Sequence, residues 1–344
     1  MRQRLCIAAA ISRMFYELVY DNMGINSFAW AIYGTCKKKF SSMMKSANLH
    51  DCLRCAGASI GRQEATMTDN RMLRAAVYGA AVGDALGVPY EFRARDTFEC
   101  VDMVGHGSHD VPAGTFSDDT SMLLATCDSI RAKRGSINCA DMRKRFEDWL
   151  YRGAYTPDGK VFDVGTTVST ALIEGRGCSG ERSNGNGSLM RIVPLAFTKA
   201  SDQDIENVSA ITHAHPLSRR ACVAFVHIAR DMAAGKPADD AAYDALVDEV
   251  DPLLANLANA YSWSRENVGS SGYVVDTLGA ALWCVANTSS YAECVLAAVN
   301  LGSDTDTTAC VAGALAGIAY GFEGIPEEWV EALRGKDVIE RCLF

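Results

Sequence analysis

No stretch of this 344-residue sequence approaches the ~18 continuous apolar residues that a membrane span needs. The segment "LCIAAAI", after Arg2 and Arg4, is too short to serve as a secretory leader. A surplus of basic charge is also missing. Lys and Arg number 33 against 42 Asp and Glu, a formal net charge of -9, whereas nucleic-acid binding normally asks for a basic surface. Strand-like alternation is almost absent, and there is neither a repeat of fixed period nor a low-complexity linker. Cysteines are plentiful at 13, but they are odd in number, scattered and set in apolar helical text such as "LWCVAN" and "TACVAG". That favours reduced, buried thiols over a disulfide framework. The expectation is a soluble, cytoplasmic protein whose partner is a small molecule or another protein, with no nucleic acid and no membrane involved.

Hydrophobic residues make up 49% of the chain, enough for a sizeable core. Charge divides it unevenly: residues 1–66 carry nine Lys or Arg and four Asp or Glu, about +5, which leaves about -14 for the remainder. The first part shows no sustained helical period and contains a loose "HDCLRC". His50, Cys52 and Cys55, with Cys36, are a weak zinc set because no second close pair accompanies them. Patterned text begins at Met67, with Asp69 as a candidate cap. Residues 1–66 are therefore expected to be a poorly ordered extension, read through from a wrongly chosen start codon, and 67–344 to be the domain. Beyond Met67, Ala-rich apolar runs with helical spacing cover 118–134, 139–150, 166–174, 216–234, 239–258, 273–286, 290–300 and 307–321. The expected fold class is all-α, a compact multi-helix bundle. Gly-rich stretches such as "YGAAVGDALG" and "AGALAGIAYG" point to tight helix crossings, since Gly inside a helix is otherwise mildly destabilising.

Two clusters of oxygen-bearing residues stand at helix starts. "GSDTDTT" (302–308) opens the last Ala/Gly helix, and "FSDDT" (116–120) opens another. Ser, Thr and Asp cap helices, but one cap needs one such residue. The surplus suits a hard, oxygen-only ligand set for Mg²⁺ or Mn²⁺ if the two mouths face each other. Asp84 sits inside a helical pattern, as a cap or ion-pair partner for a neighbouring helix. Glu91 follows Pro89 on a loop from which it can reach a metal, and Asp163 precedes a helix as either a cap or a substrate-facing carboxylate. "ERSNGNGSLMRIVP" is a turn-forming loop able to present backbone N–H groups to phosphate. In "THAHP", His213 and His215 do not share a helical face, so phosphate binding or capping suits them better than zinc.

"GAAVGDALGVPYEF", "GTFSDDTSM", "FDVGTT", "GNGSLMRIVPLA", "THAHP" and "LGSDTDTTACVAGALAG" occur in the order found in the ADP-ribosylglycohydrolase family, which includes the enzyme that reactivates dinitrogenase reductase. The resemblance spans about residues 70–325. It implies a binuclear Mg²⁺ or Mn²⁺ centre at the bottom of a cleft, with Ser117, Asp118, Asp119, Asp304, Asp306 and Thr307 as ligands and Glu91 as a mobile ligand and catalytic residue. Ser117 stands where some members have Thr. Ser183, Gly185, Asn186, Gly187 and Ser188 match the loop that holds the diphosphate, with His213 beside it. Gly302 and Ser303, which lead into the second cluster, are counted with the substrate-binding residues. Asp163 matches an aspartate near the scissile bond in members acting on arginine adducts. The implied reaction is hydrolysis of the bond between ADP-ribose and an acceptor, of arginine type, in an ADP-ribosylated protein or small-molecule adduct. Asp118, Asp119 and Asp163 are the candidate bases. A two-metal phosphoesterase acting on the diphosphate and a non-catalytic ADP-ribose-binding module are the alternatives.

Overall fold

Gly79, Gly83 and Gly87 recur every four residues and so form one stripe along the first described helix of the computed structural model. The chain divides into two units, Met1–Ala65 and Thr66–Phe344. The structure describes residues 70–344, so the expected extension at 1–66, its Cys/His set and the Asp69 cap lie outside the described residues. Thirteen α-helices follow in chain order: α1 (residues 70–87), α2 (Asp118–Ala132), α3 (Cys139–Arg152), α4 (Thr166–Glu174), α5 (Asp202–Ser209), α6 (Pro216–Ala233), α7 (Ala238–Leu246), α8 (Pro252–Ala255), α9 (Val274–Ala286), α10 (Tyr291–Val299), α11 (Thr305–Tyr320), α12 (Glu327–Ala332) and α13 (Lys336–Cys342). Extended pairing among the described residues amounts to three isolated bridges. The all-α expectation holds.

α11 is the axis of the fold. It is buried from Thr305 to Ile318, apolar all round beyond its first turn, and packed by α9 and α10. The glycine stripe of α1 lies directly on it. A Cβ on Gly79 would stand 2.2 Å from the Gly313 carbonyl oxygen, one on Gly83 2.1 Å from that of Ala309, and one on Gly87 2.4 Å from Asp306 Cα. This is the tight crossing the Gly/Ala text predicts, and it places Asp84 of α1 beside the mouth of α11. Tyr291 of α10 donates its buried hydroxyl to the Gly79 carbonyl at 2.6 Å and ties a third helix to the crossing.

Two expectations need correction. The run 239–258 is not one helix: α7 ends at Leu246, and α8 starts afresh at Pro252, running into a 3₁₀ turn over Asn256–Ser262. Proline lacks the amide that a continuing helix would use, and Asp251 caps the new start by accepting from the Leu253 amide at 2.9 Å. Helix α11 begins at Thr305 rather than 307, with Asp304 at its N-cap position. The short helices α5, α12 and α13 were not expected, although the Ser201/Asp204 capping box that starts α5 is readable in "SDQD".

Candidate metal centre and substrate cleft

Asp84 is fully buried, and it accepts from the amides of Ser117 (2.9 Å) and Thr120 (3.0 Å) and from the Thr120 hydroxyl (2.6 Å). It is thus a cap supplied to α2 by another helix. Ser117 caps α2 as well, accepting from the Asp119 amide at 3.2 Å. The mouth of α11 behaves differently. Asp304 occupies the N-cap position without capping; its carboxylate instead accepts from Asn186 Nδ2 at 2.8 Å. The surplus oxygens are therefore not explained by capping. They converge: Asp119 Oδ2 accepts from the Ser117 hydroxyl at 3.0 Å on its own helix and from the Thr307 hydroxyl at 3.2 Å on α11.

Three carboxylate oxygens in this convergence, Asp119 Oδ1, Asp304 Oδ1 and Asp306 Oδ2, are buried with no hydrogen-bond partner among protein groups. An unpaired buried acceptor is costly, and these belong to carboxylates packed beside one another. Burial first, and neighbouring carboxylates second, push Asp118, Asp119 and Asp306 well above the ordinary carboxylate range. Asp304 is raised by burial, partly offset by Asn186. Burial raises Asp84 to about 6 against the pull of its Thr120 and Ser117 hydrogen bonds. Two overlapping groups bring ligand atoms close enough to hold a cation: Asp84, Asp119 and Asp306, all buried, and Glu91, His109, Asp163 and Asp306. The orphaned oxygens, the mutual repulsion and the hard donor set all fit a divalent cation.

The cluster opens on a cleft of about 290 Å³, whose lining includes Glu91, Asp118, Asp163, Asp304 and Thr307 together with Gly185, Asn186, Gly187 and His213. Glu91 follows the 3₁₀ turn Val88–Tyr90 and is hydrogen-bonded to His109 Nε2. Burial first, opposed by His109 and reinforced by Asp163 and Asp304, lifts its carboxyl to about 7. Asp163 sits in a left-handed conformation (φ 54) just before α4. It is not the N-cap, which is Gly165, and its pKa is raised by burial against the countervailing charge of His109.

The loop expected to hold phosphate divides in two. Gly185, Asn186 and Gly187 line the cleft, and a Cβ on Gly187 would stand 3.0 Å from His213 Cε1, so the loop runs flat against that ring. Ser188 instead points inward: it is fully buried and accepts from the Ser209 hydroxyl at 2.9 Å. Ser183 turns back on Gly180 and is not part of the lining. Gly302 and Ser303 also lie off the lining. They serve the backbone: Ser303 exchanges hydrogen bonds with Phe92 and Arg93, and a Cβ on Gly302 would stand 2.6 Å from the Arg95 amide. His213 is buried beside the charge of Arg191, and these two effects lower its pKa to about 3, so it is neutral. Its Nδ1 is hydrogen-bonded to the Thr212 hydroxyl at 2.9 Å. His215 caps α6 by accepting from the Leu217 amide. The residue reading missed His109 and Phe92. His109 comes from the loop before "GTFSDD" and meets Glu91 only through tertiary packing, whereas Phe92 directly follows Glu91 and was within reach.

The fold and the site together define an all-α domain with a buried, oxygen-rich carboxylate cluster, able to hold a cation, beside a cleft. The profile of the ADP-ribosylglycohydrolase family matches residues 65–343, and the chain belongs to that family. It is 34% identical over 294 residues to the ADP-ribosylarginine hydrolase Tri1 of Pseudomonas putida (strain GB-1), covering 80% of this chain and 78% of the relative. It is 32% identical over 274 residues to the ADP-ribosyl-[dinitrogen reductase] glycohydrolase of Rhodospirillum rubrum, covering 75% and 88% respectively. A solved structure described as an ADP-ribosylglycohydrolase-related protein complex superposes with a TM-score of 0.69 at 29% identity, over 80% of this chain and 96% of that one.

Proposed function

We propose that the protein is a divalent-cation-dependent hydrolase that removes ADP-ribose from arginine side chains and releases it intact. The observation that carries the reading is the meeting of the α2 and α11 mouths, where three buried carboxylate oxygens lack partners. Two cations, Mg²⁺ or Mn²⁺, suit the two overlapping groups that share Asp306, and Ser117, Asp118, Asp304 and Thr307 would complete the donor set. Such cations supply the positive charge that neutralises the carboxylates and Lewis acidity toward the ribose hydroxyls and the attacking water. The similarity to a relative named as an ADP-ribosylarginine hydrolase supports arginine as the acceptor, as does Asp163 at the cleft.

The chain's own residues would divide the work. Gly185, Asn186 and Gly187, backed by neutral His213, offer a flat, uncharged wall for the diphosphate. Asn186 also donates to Asp304 and to the Thr277 hydroxyl, so its side chain is fixed before substrate arrives. Water adds to the anomeric carbon, the carbon–nitrogen bond breaks, and the leaving guanidine takes up a proton, so the products are ADP-ribose and an unmodified side chain. The base that takes the proton of that water has to reach the cleft. Asp118 and Asp163 line it, whereas Asp119 is fully buried behind it and suits a holding role. Free thiols at all nine described cysteines support a reducing, cytoplasmic setting, and no described helix is long and apolar enough to cross a membrane. The match at 65–343 supports residues 67–344 as the catalytic domain.

The test is product release from arginine-linked and serine-linked ADP-ribosyl peptides in Mg²⁺, Mn²⁺ or EDTA. Cation-dependent release of intact ADP-ribose from the arginine-linked peptide is expected. AMP as the product would instead establish the phosphoesterase, and binding of ADP-ribose without turnover on either peptide would favour a binding module.

A further inference from the structure

Phe92 lines the same cleft as Glu91 and Asp163, yet it is 73% exposed and its backbone is left-handed (φ 64). For a bulky aromatic residue that conformation is an outlier, and such strain persists only where the surrounding structure over-determines it, commonly at ligand clamps. The over-determination is visible here. The Phe92 amide donates to the Ser303 carbonyl at 2.7 Å, and Ser303, itself left-handed (φ 69), donates back to the Arg93 carbonyl at 2.8 Å. Behind this pair the Arg95 guanidinium donates to the carbonyls of Leu301, Arg265 and Val268. The ring is not spent on packing. It meets the His109 imidazole in a tilted arrangement, centroids 5.9 Å apart, and His109 in turn stands 5.1 Å from Phe162 and holds Glu91. An aromatic surface is thus fixed beside two carboxylates at a cleft rich in negative charge.

We propose that Phe92 is a specificity-determining residue for the acceptor, its ring stacking on the planar guanidinium of an arginine adduct in the carboxylate-lined cleft. Guanidinium groups stack on aromatic faces and are held there electrostatically. A serine-linked acceptor has neither plane nor charge to offer. The inference rests on the arginine reading of the preceding subsection and adds the residue that reads the acceptor.

The experiment uses the full chain with Mg²⁺ or Mn²⁺ present, comparing Phe92→Ala, Phe92→Leu and Phe92→Tyr with wild type. It reads KM and kcat on arginine-linked and serine-linked ADP-ribosyl peptides and, by calorimetry, the affinity for ADP-ribose. Phe92→Ala and Phe92→Leu are expected to raise KM for the arginine-linked peptide about tenfold, with ADP-ribose affinity within twofold of wild type, while Phe92→Tyr keeps the wild-type KM. The inference is overturned if Phe92→Leu behaves like wild type, since bulk rather than an aromatic face would then suffice. An unchanged KM in Phe92→Ala overturns it too, as does an equal loss of ADP-ribose affinity, which would put the ring against the ADP-ribose half. Failure of the wild type to act on the arginine-linked peptide would overturn the arginine reading and this inference with it; activity in wild type with no effect of the variants overturns the inference alone.

Discussion

Asp306 is the residue on which the two helix mouths meet. One of its oxygens accepts from the Thr307 amide at 2.9 Å, the other is buried without a partner, and it belongs to both candidate cation groups. In the cation-free protein burial first, and the repulsion of Asp119 and Glu91 second, disfavour its charged form. Asp306→Asn removes that repulsion, so the cation-free variant should melt at or above the wild-type temperature, by up to ~5 °C if about 1–2 kcal/mol of repulsion is relieved. Its response to cation should be weakened. Wild type at ~100 times the dissociation constant gains about 2.7 kcal/mol, and the variant should gain less than half of that in the same melts with and without Mn²⁺. An equal rise in both would remove Asp306 from the ligand set. The sequence alone showed that this aspartate belongs to an unexplained surplus of oxygens. It did not show that Asp304, two residues earlier, abandons capping for Asn186, because Asn186 arrives from 118 residues away.

Among the elements, the crossing of α1 and α11 decides whether the mouths can face each other at all. A methyl group at Gly83 would stand 2.1 Å from the Ala309 carbonyl oxygen, a backbone atom that cannot yield without moving a helix. Gly83→Ala should therefore cost about 1–3 kcal/mol as overpacking, lowering the melting temperature by roughly 2–10 °C. Gly180→Ala, whose Cβ would meet only the Ser183 hydroxyl at 3.8 Å, should leave it nearly unchanged. Matched melts of the two variants check this, and equal shifts would argue that the stripe is not a close crossing. Helical period and small-residue spacing made this element legible in advance, since both are local properties of the text. The break at Pro252 was equally local and was overlooked. The loop carrying His109 was not legible, because its turn (His106–Val111) and its contact with Glu91 depend on where α1 ends and α2 begins in space.

For the molecule as a whole, the buried carboxylates turn cation binding into a pH effect on stability. Each has a folded pKa above its unfolded value near ~4, so the cation-free fold binds more protons than the unfolded chain. Stability is then lost as pH rises through the folded values, about 6 for Asp84 and about 7 for Glu91, with Asp118, Asp119 and Asp306 raised as well. His109, raised by its Glu91 hydrogen bond, contributes with the same sign. His213 works the other way: its folded value near 3 lies below the unfolded ~6.5, so it adds stability as pH rises, but only up to about 6.5. Asp141, where the hydrogen bonds from Arg145, Ser129 and Lys133 overcome partial burial to hold the carboxyl near 2, acts only below about pH 4. The window from pH 6.5 to 8 therefore isolates the cluster. In EDTA the melting temperature should fall across it. In saturating Mn²⁺ or Mg²⁺, where the carboxylates must be ionised to bind, it should hold level or rise. Parallel curves in the two conditions would mean that the cation does not reach these residues, and the tie between the fold's central crossing and its chemistry would have to be given up.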